Sequence, residues 1–489
     1  PRLAAMTRST PADDAPRPSL AQLRELAPYL RRWLATQVEV HQVPGAQVAV
    51  RLGGELVLSE AFGEADQASG EALTTDHLFR VASHSKTFTA VAVMRLVEAG
   101  RLRLDDTVAE LLDDWADTPL AGATVRELLS HTAGAIRDGV DADFWQLDTP
   151  FPDAAALRGI VAEHGATYAP QEHFKYSNIG YGMLGAIIER LTGTDYVSHV
   201  TSAVLEPLGL TRTAPELAEA QADTGDDGAP RLVVGHSRPH GRSRSRVTVG
   251  NPTTGALASA TGFVSTAEEL SRFFAALALG QDGPLTDRSL RLMHRAEASF
   301  ARGTGTGTYG LGLIGVAVGE RRMVGHSGGF PGQITRTLVD PDTALTVCVL
   351  TNAVDGPADS LAAGLVELID LLTAPAADWQ RLPEGITEED LQRLTGRYHC
   401  LWGETDVVFG GGRLVMLDPT VSSPRASVQE LRPLDATTLR VEDEDGFGAS
   451  GERIPFELDE DGRVVRMRVT GVSSWPEEAY LARRGDAWT

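Results

Sequence analysis

From Leu20 onward, apolar residues recur at helical spacing: Leu23, Leu26, Leu30, Trp33 and Leu34 share one face of a 3.6-residue period. Pro44-Gly45 stops that helix. Two alternating runs, 46–52 and 56–62, flank Gly53-Gly54 and predict a β-hairpin. Helical periodicity returns at about 84–99, 178–192 and 266–279, the last with a capping box from Ser265 to Glu268. Later apolar runs predict strands at 309–316, 322–325, 335–339 and 345–350. Strands early and late around a helical middle predict an α+β domain with one sheet closed by both of its ends.

Beyond Pro375 the pattern changes. Residues 376–389 carry Pro383, Gly385 and a cluster of acids, and read as a linker. From about 395 the chain is a series of short alternating runs with Gly- and Asp-rich turns, which predicts a small all-β barrel or sandwich. The expected organisation is a disordered arm (1–18), a large domain (19–375), the linker (376–389) and a β-domain (390–489).

Composition narrows the partners. The 489 residues carry a formal net charge of −23. Such a chain repels nucleic-acid phosphates and anionic membrane surfaces, so neither is an expected partner. Two cysteines give no disulfide framework: Cys348 sits in an apolar run and reads as core, and Cys400 has no C-x-x-C companion for zinc. The acidic run 442–445 lacks calcium-loop spacing and reads as a solvated turn. His236 and His240 lie in the basic segment 235–246, which reads as a solvated loop. Gly303, Gly305, Gly307 and Gly310 precede a strand rather than lead from one into a helix, so they read as a mobile loop and not a dinucleotide cradle. No metal or organic cofactor is expected. No apolar leader of ~7–15 residues follows Met6. No run reaches the ~18 apolar residues of a membrane span. The expectation is a cytoplasmic protein.

Three short motifs carry the candidate chemistry. In Ser83-His84-Ser85-Lys86, a lysine lies one helical turn after a serine, placing an amine beside a hydroxyl. A serine becomes a nucleophile when such a neighbour takes its proton. In Tyr176-Ser177-Asn178, a phenol near that lysine is expected to have a lowered pKa and serve as a base, and the asparagine amide to orient a substrate carbonyl. In His326-Ser327-Gly328-Gly329, a Gly-rich strand end lets backbone N–H groups approach a ligand.

In this order the three motifs resemble those of the penicillin-binding-protein and serine β-lactamase superfamily. The branch is that of class C β-lactamases, D-aminopeptidases, D-alanyl-D-alanine carboxypeptidases and related esterases. Leu78-Phe79-Arg80-Val81-Ala82, Leu128-Leu129-Ser130-His131-Thr132-Ala133-Gly134, Tyr309-Gly310-Leu311-Gly312 and Leu350-Thr351-Asn352 agree with it, and the resemblance spans about residues 20–370. It implies an antiparallel sheet flanked by helices with an all-helical subdomain, followed by a lipocalin-like β-domain that covers the cleft or mediates oligomer contacts. It implies Ser83 as nucleophile, Lys86 and Tyr176 as proton carriers, and Tyr176 as base toward water. Asn178 would contact the substrate amide, and Ser83 and Gly329 N–H groups would form the oxyanion hole, beside Gly328. His326 stands where many members have lysine, and would polarise Tyr176 or bind a substrate carboxylate. That replacement leans toward peptidases and esterases. The implied function is a serine hydrolase acting through an acyl-enzyme on a small amide, peptide or ester, possible homo-oligomers included. A β-lactamase or carboxypeptidase is the alternative, and a non-catalytic penicillin-binding or scaffolding protein is the reading from another class.

Two local readings compete. Gly325-His326-Ser327-Gly328-Gly329 matches the G-x-S-x-G elbow of α/β-hydrolases, but β-rich sequence follows it where a helix is required. His131 reads as a backbone-bonding residue rather than a catalytic one.

Overall fold

The computed structural model describes residues 17–217, 232–241, 245–302, 305–375, 382–442 and 448–484. The expected disordered arm up to residue 16, linker residues 376–381, Gly303 and residues 443–445 of the acidic run lie outside them. The chain divides into two compact units: His41–Ala362, and the two terminal stretches Pro1–Val40 and Ala363–Thr489. The division thus differs from the expected one, with Leu20–Val40 and the chain from Ala363 onward grouped with the β-domain.

In the central unit the strands run β1 (Gly45–Leu52), β2 (Glu55–Asp66), β3 (Glu71–Ala72), β4 (Phe79–Arg80), β5 (Gly235–His236), β6 (Thr248–Val249), β7 (Val264–Ser265), β8 (Ala298–Arg302), β9 (Gly305–Tyr309), β10 (Ile314–Val318), β11 (Arg321–Phe330), β12 (Gln333–Val339) and β13 (Leu345–Thr351). Nine of them form one sheet in the order β3-β2-β1-β13-β12-β11-β10-β9-β8, while β4 pairs with β7 and β5 with β6. The predicted hairpin is β1–β2, and β1 lies antiparallel to β13 with Val48 opposite Val349, so the first and last strands of the unit do close the sheet. Both are buried almost throughout, which is why they read as near-continuous apolar runs.

The core fixes the helix that carries the chemistry. Phe88, on the helix Ser85–Glu98, stacks on Phe273 at 3.7 Å and on Phe263 at 4.4 Å between ring centroids. Phe273 belongs to the helix Ala267–Ala275, which packs on β1 and β13. The Lys86 helix is thereby tied to the sheet through three fully buried aromatic rings.

Three local expectations are corrected. The cap falls one residue later and is not a capping box: Thr266 caps its helix by accepting from the Glu269 amide, while the Glu269 carboxylate bonds Arg212 N and Thr213 Oγ1, and Ser265 is committed to β7 and shares a hydrogen bond with Thr213 at 2.8 Å. The strand expected over 309–316 is broken between Tyr309 and Ile314. Gly312 there has φ +77°, and a Cβ on it would lie 2.4 Å from that of Ala90. Gly305 and Gly307 lie in β9, not in a mobile loop, and Gly310 follows the strand directly. A Cβ at Gly307 would meet the Phe300 ring at 2.6 Å, so the glycine leaves room for the aromatic of the paired strand β8.

The terminal unit contains a closed eight-stranded barrel: β14 (Gly396–Cys400), β15 (Gly403–Gly410), β16 (Arg413–Leu417), β17 (Gln429–Asp435), β18 (Thr438–Val441), β19 (Arg453–Leu458), β20 (Val464–Val469) and β21 (Val472–Pro476), which returns to β14. Its interior holds Leu414, Leu431, Leu439, Ile454 and Met467, joined by Leu391 and Leu394 of the helix Glu388–Leu394. This is the small all-β module expected from the alternation. Among the described residues no helix is long and apolar enough to cross a membrane.

Candidate active site

Ala82–His84 makes one 3-10 turn and the α-helix begins at Ser85, so Ser83 precedes the regular helix by a turn. Ala82 holds φ +47°, a left-handed conformation that costs a non-glycine residue about 1–2 kcal/mol. The Ser85 hydroxyl bonds the Ala82 carbonyl at 2.5 Å, and the Val81 amide bonds Phe263 O at 3.0 Å, which keeps the bend in place. The Ser83 side chain is left half-buried with Oγ 3.2 Å from Lys86 Nζ.

Lys86 is fully buried. Its Nζ donates to Asn178 Oδ1 at 2.7 Å and to the Ala260 carbonyl at 2.8 Å, and lies 4.8 Å from the Tyr176 ring centroid. Burial pushes the amine well below the ordinary lysine range, the Asp138 carboxylate pulls it back up, and the Arg137 cation pushes it down again. A neutral amine has two N–H donors and one lone pair. Asn178 and Ala260 accept the two protons, which leaves the lone pair for the Ser83 hydroxyl. The protonated amine fits as well, with three donors for three acceptors.

Asn178 starts the helix Asn178–Thr192, capped by Ser177, whose Oγ accepts from Gly180 N at 2.8 Å. Its Nδ2 donates to Asp138 Oδ1 at 2.6 Å. Both ends of this amide are therefore engaged inside the protein, where the sequence suggested contact with a substrate carbonyl. The Tyr176 hydroxyl is hydrogen-bonded to Ser83, but burial raises the phenol above its ordinary pKa, the reverse of the expected lowering. The desolvation of the phenol outweighs the Ser83 hydrogen bond and the Arg137 cation, both of which lower it. His131 accepts the Ser177 amide at Nδ1 (3.1 Å) and lies 4.2 Å from the Tyr176 ring, the backbone role read from the sequence.

His326 lies on β11 and is buried. Its Nδ1 donates to Ser327 O at 2.7 Å, which leaves Nε2 to accept from the Tyr309 hydroxyl at 2.9 Å. Burial, with the charges of its neighbours, pulls it well below the ordinary imidazole range, so it is neutral. Its ring centroid is 6.4 Å from that of Tyr176. It therefore carries no charge for a carboxylate and anchors Tyr309. β10 pairs with β11 only up to Gly325, so residues 326–330 run past its end. There Gly328 presses on the chain before the nucleophile: a Cβ would lie 2.2 Å from Val81 O. Gly329 is exposed.

Ser327 sits in mid-strand opposite Arg336, with β12 following, and the strand–turn–helix of a nucleophile elbow is not formed. His236 is buried, not solvated, with Nδ1 bonded to Asn352 O at 2.9 Å. Cys348 is core, its thiol pushed up to about 12 by burial. Among the described residues no group of three or more His, Cys, Asp or Glu is arranged to hold a metal. Thus Ser83, Lys86, Tyr176 and Asn178 come together at one point, with Gly328 beside Val81 and His326 one ring further out. Asp138 and the Ala260 carbonyl were not read from the sequence. Asp138 follows Gly134 of the Leu128–Gly134 segment by four residues in a run without periodicity, and a carbonyl presented by the π-turn Ala258–Gly262 leaves no side-chain signal.

The family model described as Beta-lactamase matches residues 30–370. Penicillin-binding protein 4 of Amycolatopsis lactamdurans is 38% identical over 185 residues, 36% of this chain and 47% of that protein. The chain spans less than half the length of the curated relatives it matches, 47% and 41% for the first two. The octameric penicillin-binding protein homologue of Pyrococcus abyssi superposes with a TM-score of 0.62 at 22% identity, over 91% of this chain and 99% of its own, and shows the shared fold. The D-amino acid amidase of Ochrobactrum anthropi SV3 gives a TM-score of 0.56 at 27% identity, over 70% of this chain and 98% of its own. With the motif triplet gathered at one site and the family match covering most of its length, this chain belongs to the beta-lactamase family.

Proposed function

We propose that the protein is a serine hydrolase that forms an acyl-enzyme on Ser83 and acts on small amides or peptides of D-amino acids. The observation that carries this is the Lys86 amine, buried, held by two acceptors, and 3.2 Å from the Ser83 hydroxyl. Lys86 takes the Ser83 proton as Oγ bonds to the substrate carbonyl carbon. The Ser83 and Gly329 N–H groups, by the family resemblance, face the developing oxyanion. As the C–N bond breaks, the proton passes from Lys86 through the neutral Tyr176 phenol to the leaving nitrogen. A phenol that both accepts and donates carries the proton without becoming a phenolate, which suits its raised pKa. Water then attacks the ester carbonyl, gives its proton back along the same path, and Ser83 is released.

Two features favour an amide of a D-amino acid. The similarity to the D-amino acid amidase extends over nearly all of that enzyme. The neutral His326 offers no fixed cation where the resemblance puts a lysine, which weakens the case for a carboxylate-bearing β-lactam. A panel of D- and L-amino-acid p-nitroanilides, D-Ala-D-Ala peptides, nitrocefin and short-chain esters tests the choice. We expect kcat/KM for the D-nitroanilides to exceed that of their L enantiomers by at least about tenfold, since one misplaced group costs ~1–3 kcal/mol. Equal rates for both enantiomers, or nitrocefin as the best substrate, overturn the substrate assignment.

The pH profile follows from the lysine. Activity requires the neutral amine, so kcat/KM rises with pH as Lys86 loses its proton, and the acid limb lies well below the ordinary lysine value of 10.5. Lys86→Arg, which cannot deprotonate, is expected to be inactive at every pH measured. An acid limb near 10.5 in the wild type contradicts Lys86 as base.

A further inference from the structure

We propose that Asp138 and Arg137 are positioning residues that set the aim and the proton affinity of Lys86 through Asn178. The proposal rests on the reading of Lys86 as the base. Neither residue belongs to the three motifs, and both come from the loop that follows the Leu128–Gly134 segment.

The geometry is a chain of four groups. Arg137 Nε lies 3.0 Å from Asp138 Oδ2, Asp138 Oδ1 accepts from Asn178 Nδ2 at 2.6 Å, and Asn178 Oδ1 accepts from Lys86 Nζ at 2.7 Å. A carboxylate only accepts hydrogen bonds. Asp138 therefore forces the amide to turn its NH2 outward and its oxygen toward the lysine. Flipped, the amide would set its oxygen against a carboxylate and two donors against the donors of Lys86. The backbone secures the same arrangement: the Arg137 carbonyl accepts the Asn178 and Ile179 amides at 2.8 and 3.1 Å. With the amide fixed and Ala260 accepting the second proton, the lone pair has one direction left, toward Ser83.

The same pair governs the charge around the amine. Tyr176 and Tyr181 on one side, His131 beside them, His326 on β11 and His84 on the lysine's own segment all face this region. Burial holds the three imidazoles below and the two phenols above the working pH range, so all five are uncharged. Asp138 and Arg137 remain as the groups whose charges act on Lys86, in opposite directions. Asp138 is buried, whereas the Arg137 side chain is 65% exposed. The counter-charge is thus open to solvent and to whatever occupies the mouth of the site.

The test is the pH dependence of kcat/KM, and of the rate of fluorophosphonate labelling, for the wild type, Asp138→Asn and Arg137→Gln. Removing the carboxylate destabilises the ammonium, so the acid limb of Asp138→Asn moves down by about one pH unit. With its amide partner free to flip, kcat also falls by roughly tenfold while KM changes little. Removing the cation moves the limb of Arg137→Gln up by about half a unit, reduced by solvent screening. Opposite shifts from adjacent residues do not arise from lost packing, and Arg137→Gln, at an exposed side chain, carries the test alone if Asp138→Asn does not fold. Limbs that stay at the wild-type pH, or move in the same direction, in active and labelled enzymes overturn the proposal. A wild type that neither labels nor turns over any substrate of the panel overturns the functional reading itself, and this proposal with it.

Discussion

Ser83→Ala abolishes covalent labelling by a fluorophosphonate and lowers kcat/KM on the best substrate by at least about a thousandfold, the scale of losing the nucleophile in other serine hydrolases. The fold does not depend on this hydroxyl. Lys86 keeps its bonds to Asn178 and Ala260, and the helix stays pinned by the Phe88 stack. Thermal unfolding is therefore expected to move little while the chemistry disappears. Ser327→Ala is the control, because that side chain sits in mid-strand. It should label and turn over as the wild type does. Labelling that survives Ser83→Ala and is lost in Ser327→Ala would falsify the assignment of the nucleophile.

The second large effect is on stability. Arg80 is fully buried and donates to Glu216 at 3.1 Å, to the Gly262 carbonyl at 2.7 Å and to the Pro252 carbonyl, with its guanidinium 4.9 Å from the Phe330 ring. Glu216 in turn accepts from the Thr254 amide and hydroxyl at 2.6 and 2.5 Å and from the Leu217 amide at 2.6 Å. Arg80→Met leaves a buried carboxylate without its cation and two carbonyls without donors. Breaking a buried pair from one side costs about 3–5 kcal/mol. In a unit of this size that corresponds to a fall of roughly 5–15 °C in the unfolding midpoint. The damage extends to the chemistry, because Gly262 closes the π-turn whose Ala260 carbonyl holds Lys86. Removing both partners, as Arg80→Met with Glu216→Leu, should recover part of the loss, since apolar replacement of a whole buried pair is often neutral. Calorimetry on the three variants checks this. A single Arg80→Met cost below about 1 kcal/mol shows the network to be dispensable.

Much of the fold was legible where one physical signal dominated. The β1–β2 hairpin showed in its alternation and Gly53-Gly54, and β13 in an unbroken apolar run. What was missed lay where two signals conflict. β17 contains Pro433 and three charged residues, and β9 is built mainly from glycine and threonine. Neither looks like a strand until its neighbours are known, since barrel closure in one case and the Phe300 ring in the other stabilise it. The cap at Thr266 was displaced by one residue because a two-residue ladder with Phe79 claimed Ser265.

For the site, the sequence by itself determined the residue types and their order. The three-position step from Ser83 to Lys86 spans about one turn, which brings an amine near that hydroxyl. The protonation states were decided by the tertiary structure alone. A lysine and a tyrosine in a motif give no sign of how dry their surroundings are. The sequence suggested an acidified phenol beside a cationic lysine, whereas burial lowers the proton affinity of the amine and raises that of the phenol together. The groups that tune this balance, Asp138 with Arg137 and the Ala260 carbonyl, reach Lys86 from distant positions in the chain, through an amide and a backbone turn. Electrostatic coupling acts through space and depends on burial, so only the folded chain decides which residue is the base.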